Sequence, residues 1–100
     1  VPREFLHVDP RTLHLPTSRW NGADPYKLAR QKALHGDSID GMPPILVTRY
    51  KDGRLVINDG VTRAARAAEL LPGVPVTVEV EAERLDQDVS QYPTVGDTLP

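Results

Sequence analysis

The stretch from Leu55 to Ala68 constrains this chain more than any other. Leu55-Val56-Ile57 is a short aliphatic, β-branched run, the composition of a buried strand. Residues 63–68 are mostly alanine, the best helix former, with two arginines interleaved. Between them stands Asn58-Asp59-Gly60, two residues that bond locally to the backbone and one glycine. That order predicts a strand, a tight turn and a helix. A turn of this kind aims the unpaired N–H groups of the helix's first turn, and the positive end of its dipole, past the end of the strand. Phosphates bind in such places. Gly60, Val61 and Thr62 would present backbone and hydroxyl donors, and Arg63 would lie over a bound anion.

The rest of the chain must supply partners for that unit. Glu4 to Val8 reads as a first strand stopped by Asp9-Pro10, and Leu13-His14-Leu15 as a second brief apolar segment ended by Pro16. Thr17 to Ala23 is polar and reads as a loop, with Trp20 as its anchor on the body. Asp24-Pro25 is an N-cap followed by proline at the first helical position. The helix it starts is predicted to run to His35, with Tyr26, Ala29, Ala33 and Leu34 inward and Lys27, Arg30 and Gln31 on the open face.

After Pro43-Pro44, Ile45 to Tyr50 is a strand, Lys51-Asp52-Gly53 a hairpin turn, and Arg54 to Asn58 the returning strand. The following helix is expected from Val61 to Leu71, broken by Pro72-Gly73. Val74 to Val80 is a further strand with Val76, Val78 and Val80 on one face. Arg84 to Asp88 reads as a last helical extension, and 89–100 as a loosely held tail. The fold class is therefore α/β in the broad sense (α+β): a small mixed sheet with packed helices, in a single domain over 1–100.

Charge is unevenly distributed. Residues 1–68 hold eleven Lys/Arg against seven Asp/Glu, whereas 69–100 hold one arginine against seven acids. A basic body with an acidic end suits a local anion site and argues against sequence-independent coating of nucleic acid, which needs a continuous basic face. With no cysteine there is no disulfide framework, thiolate metal site or thiol nucleophile. No apolar run approaches the roughly 20 residues of a membrane span, so a cytoplasmic location without membrane partners is expected. The chain opens on Val1, which fits a domain cut from a longer protein.

These segments together carry a family resemblance over residues 24–80. Asp24-Pro25-Tyr26-Lys27, followed nineteen positions on by Pro43-Pro44-Ile45, is similar to sulfiredoxin in content and spacing. Asp59-Gly60-Val61-Thr62-Arg63 sits where sulfiredoxins carry Gly-Gly-Cys-His-Arg and ParB proteins a Gly-Glu-Arg-Arg box. It also resembles the Asp-Gly-His-Thr-Arg form of relatives that act as free serine kinases. The chain thus resembles the ParB/sulfiredoxin superfamily. The resemblance implies a site for a nucleoside triphosphate or diphosphate, with Mg²⁺ held largely by the phosphates, and it implies nucleotide contact by Lys27.

The departures from that pattern are chemical. Val61 replaces the sulfiredoxin cysteine, which excludes sulfinic acid reduction. Thr62 and Ala65 stand where ParB proteins have arginines, and Arg30 and Leu34 replace hydroxyl residues of the first helix. Three functions follow as expectations. One is an enzyme, either a nucleotide hydrolase or phosphotransferase or a nuclease, with Asp59 as base or metal ligand. The second is a non-enzymatic module in which nucleotide gates a protein or DNA partner. The third is a toxin-like piece of a longer protein. Each residue also has a plainer reading: Gly60 as a positive-φ turn former, Thr62 as an early-helix hydroxyl, Asp59 as a turn residue paired with Arg63, and Lys27 as a solvated helix lysine. His7, His14 and His35 lack metal-ligand spacing.

Overall fold

Each apolar run that alternates with polar residues needs a neighbour to satisfy its backbone, and four strands find one. A computed structural model describes residues 3–36 and 38–99. The strands are β1 (Glu4–Val8), β2 (Ile45–Tyr50), β3 (Leu55–Asp59) and β4 (Val76–Arg84), in the spatial order β1-β4-β2-β3. β4 is antiparallel to β1 and parallel to β2, and β2 is antiparallel to β3. The sheet is mixed, and the fold is α+β.

β2 and β3 form the expected hairpin. Its turn places Asp52 at φ 65° and Gly53 at φ 76°, left-handed conformations that aspartate tolerates and glycine adopts freely. The parallel pairing of β4 with β2 requires a crossover, and β3 with helix α2 (Val61–Leu70) provides it. Helix α1 (Pro25–His35) begins at Asp24, whose carboxylate accepts the Tyr26 amide at 2.9 Å, and ends at Gly36. A short α3 (Val95–Thr98) closes the described chain.

The core lies on one face of the sheet. Ile45, Val47, Ile57, Val76 and Val78 meet Leu13, Leu15, Val95 and the alanines 64, 65, 67 and 68 of α2. Alanine at four positions gives α2 a small-residue face within that core.

Several expectations are corrected. The inward face assigned to α1 is outward: Tyr26 is 88% and Leu34 67% exposed, and Ala29 and Ala33 are exposed as well. The helix turns Leu28 to the core instead, while Lys32, on the same face, pairs with Glu69 of α2. The last strand starts two residues late, leaving Val74 exposed, and runs on through Glu81–Arg84. The acidic end of β4 stays extended because it pairs with β2 and because Arg49 neutralises it. That guanidinium donates to Glu83 at 3.0 Å and forks onto Glu4 at 2.6 and 2.8 Å. Arg84–Asp88 is consequently a strand end and turn, with no helix.

The segment after residue 88 is also held in place. Val89 and Val95 are fully buried. Leu15 N–H donates to the Pro93 carbonyl at 2.8 Å, and Val95 N–H to that of Leu13 at 2.9 Å. Thr94 and Asp97 close a capping box on α3. The brief Leu13-His14-Leu15 segment makes this docking possible, because His14 bridges both Val56 of β3 and Thr94.

Candidate functional site

The turn from β3 into α2 is built by three adjacent residues. The Asn58 side chain anchors the strand end, donating to Thr48 Oγ1 at 2.8 Å and to Glu81 at 2.9 Å. Gly60 then takes φ 113°, ψ 23°, a conformation that disfavours any side chain. As the residue before the helix it offers no capping side chain. The amides of Val61, Thr62 and Arg63 therefore meet no acceptor among the described residues.

Those amides open on a cleft of about 630 Å³. One flank is α1, contributing Lys27, Arg30, Gln31 and Leu34; the other is the Pro16–Arg19 segment. The structure brings all the sequence-derived candidates to this cleft: Lys27, Asp59, Gly60, Val61, Thr62 and Arg63 all line it. Arg19 and Ser18 join them from a segment whose polar sequence predicts only a loop. The signal available for Arg19 was weak, a lone arginine ahead of Trp20. Among the described lining residues four cations, Arg19, Lys27, Arg30 and Arg63, stand against one carboxylate, Asp59.

Arg63 is placed differently from a free surface arginine. Its side chain folds back over Gly60, and Nη2 donates to the Pro44 carbonyl at 3.2 Å. Asp59 Oδ2 lies 3.7 Å away, too far for a good hydrogen bond and on a largely exposed carboxylate. Arg63 Nε is buried with no acceptor. A guanidinium with five donors is left here with most of them unused.

Two residues have duties the sequence did not reveal. Arg66, one turn beyond Arg63, is 2% exposed and donates to the Ser38 carbonyl at 2.6 Å. His14 is buried, with Nδ1 donating to the Tyr92 carbonyl at 2.8 Å. Trp20 anchors its loop as expected: it is half-exposed and meets the Tyr92 ring edge-to-face, centroids 5.4 Å apart. Among the described residues no cluster of three His, Asp or Glu side chains is arranged to hold a metal ion, and no helix is long and apolar enough to cross a membrane.

No known protein family, curated protein or solved structure matched this chain.

Proposed function

We propose that the domain binds the phosphate groups of a nucleotide at the N-terminus of α2. The observation that carries this reading is the unmet donor capacity gathered at one point. Three first-turn amides without acceptors open on a cleft that Arg19, Lys27, Arg30 and Arg63 also line. Amides, guanidinium groups and an ammonium are all donors, and a phosphate supplies the acceptor oxygens they lack. The resemblance of residues 24–80 to the ParB/sulfiredoxin superfamily points to the same ligand class.

In this reading the backbone of Gly60 and Val61 cradles the anion, Thr62 adds a hydroxyl, and Arg63 and Lys27 add charge. Mg²⁺ accompanying a triphosphate would be held mainly by the phosphates, because Asp59 is the single carboxylate among the described residues that line the cleft. Asp59 is also the candidate base or ligand for phosphoryl hydrolysis or transfer, or for nuclease chemistry. That no second carboxylate or histidine stands beside it among the described lining residues favours the alternative: a nucleotide-gated module acting on a protein or DNA partner, within a longer protein. Either role suits the cytoplasm.

Calorimetric titration with Mg·ATP tests the reading. Arg63→Ala should weaken binding by about 1.5–3 kcal/mol, the range for charged hydrogen bonds, and Arg63→Lys should recover part of it. Absence of binding, or an unchanged Kd in Arg63→Ala, would sink the proposal.

A further inference from the structure

Beyond the cleft lies a second recess of about 290 Å³, and the two share Pro16, Ser18 and Asn58 as a common rim. The chemistry changes across that rim. The recess is walled by Tyr50 and Tyr92, with buried Val56 and Ile57 behind them, and none of its described lining residues is charged.

Both tyrosines are half-exposed and held from their backbones. Tyr50 N–H donates to the Arg54 carbonyl at 2.7 Å, at the foot of the hairpin. Tyr92 is fixed from three directions. Its N–H donates to the Val89 carbonyl at 3.0 Å, its own carbonyl accepts from His14, and its ring rests on Trp20. Rigid aromatic walls over an apolar floor are suited to a flat ring, since stacking needs a face and little reorganisation. The opposite side of the cleft is less suited: there Leu34 is the one large apolar group among Lys27, Arg30 and Gln31, all long flexible side chains.

The two recesses also adjoin: Asn58 lines both and stands three residues before Val61 across the tight turn, so a ribose and its nearer phosphates reach from one to the other.

We infer that this recess is the base subsite of the ligand whose phosphates occupy the α2 N-terminus, an inference resting on the phosphate reading above. The nucleobase stacks on Tyr50 and Tyr92, and Pro16, Ser18 and Asn58 lie beneath the sugar. Stacking reads a π-face rather than a hydrogen-bond pattern, so adenine and guanine are accepted alike.

The test compares Mg·ATP, Mg·GTP and Mg·tripolyphosphate by calorimetry on the wild type and on Tyr50→Leu, Tyr92→Leu and Leu34→Ser. The wild type should bind both nucleotides roughly 10- to 100-fold more tightly than tripolyphosphate, the range for one stacked base. Each tyrosine substitution should remove most of that advantage while leaving tripolyphosphate affinity unchanged, whereas Leu34→Ser should keep the advantage of nucleotide over tripolyphosphate. Should Tyr92→Leu fail to fold, Tyr50→Leu decides the matter. Equal affinity of the wild type for nucleotide and tripolyphosphate overturns the base subsite alone. So does an advantage that survives both tyrosine substitutions or is lost in Leu34→Ser. No binding of any of the three overturns the phosphate reading and the subsite with it.

Discussion

The guanidinium of Arg63 lies against the backbone of Gly60, so that a β-carbon at Gly60 would stand 2.9 Å from Nη2 and 3.2 Å from Cζ of Arg63. The glycine thus does two jobs: it adopts φ 113°, and it leaves room for the arginine that follows it in the helix. The two are separable. The clashing atoms end a flexible side chain and can move away, whereas the backbone strain stays. Gly60→Ala should therefore destabilise the domain by about 1–2 kcal/mol, and most of that should persist in an Arg63→Ala background. Urea unfolding of the four members of the cycle measures it. Loss of the whole effect in the Arg63→Ala background would show that crowding, and not φ, makes glycine necessary.

Thr62 lines the cleft one residue into α2 and is half-buried. Thr62→Val preserves volume and deletes the hydroxyl, so its own melting temperature should stay close to wild type. With ligand at a hundredfold excess over Kd, native-state binding adds about 2.7 kcal/mol, a rise of roughly 10–20 °C for a domain this size. At a fixed Mg·ATP concentration that rise should shrink in the variant. A variant that melts several degrees low yet keeps the full ligand shift would make Thr62 a structural residue.

The end of the described chain gives a stability prediction. Val89 and Val95 are fully buried, and Val95 belongs to the main core. Val95→Ala should cost about 1.5–3 kcal/mol, with Val89→Ala in the same direction. Thr94→Ala, which opens the capping box, should cost about 1 kcal/mol. Denaturant midpoints unmoved in all three would mean that the segment contributes nothing to the fold.

Acid should weaken the domain through identifiable carboxylates. Hydrogen bonds from Arg49 hold Glu4 below its ordinary 4.5, and Arg11 does the same for Asp9, whose ordinary value is 3.8. Hydrogen bonding by the Ser90 and Thr94 amides lowers Asp88 and Asp97 likewise. A carboxylate with a depressed folded-state pKa contributes its stability fully above the unfolded value. It loses that contribution as pH falls through the folded one. Urea midpoints followed from about pH 6 to about pH 3 should fall, most steeply below the ordinary carboxylate values. In Arg49→Met the decline should be shallower, since Glu4 then titrates alike in both states. An identical slope in the variant would remove Arg49 from the explanation.

Arg66 provides a last check, because its charge is buried on a helix otherwise lined with alanine. Arg66→Ala removes both the packed stem and the donor to the Ser38 carbonyl, whereas Arg66→Met keeps most of the volume. The alanine variant should lose about 2 kcal/mol or more and the methionine variant less. Equal losses would place the whole effect in the hydrogen bond.

What the sequence determined by itself is the set of features whose physics acts over a few residues. Asp24-Pro25 starts α1 and Gly36 ends it. Asp52-Gly53 turns the hairpin, and Asn58-Asp59-Gly60 carries β3 into α2, because capping, left-handed φ and β-branching are local preferences. The same locality makes Gly60 to Arg63 legible as one cluster, since turn and helix geometry place consecutive residues together. Tertiary structure decided the rest. Which face of α1 is buried depended on where Glu69 and the core offered partners, so Leu28 turned to the core and Lys32 to Glu69 while Tyr26 and Leu34 stayed outside. The acidic run after Val80 remained a strand because Arg49, distant in sequence, paired with Glu83 and Glu4. Val89 to Leu99 docked because Leu13 and Leu15 left backbone groups for it to bond and the His14 ring met the Tyr92 carbonyl. Arg63 folded onto Gly60 and Pro44, and Arg19 reached the cleft, for the same reason. Burial and the satisfaction of polar groups are set by whichever surface a distant segment brings, and local pattern carries no record of it.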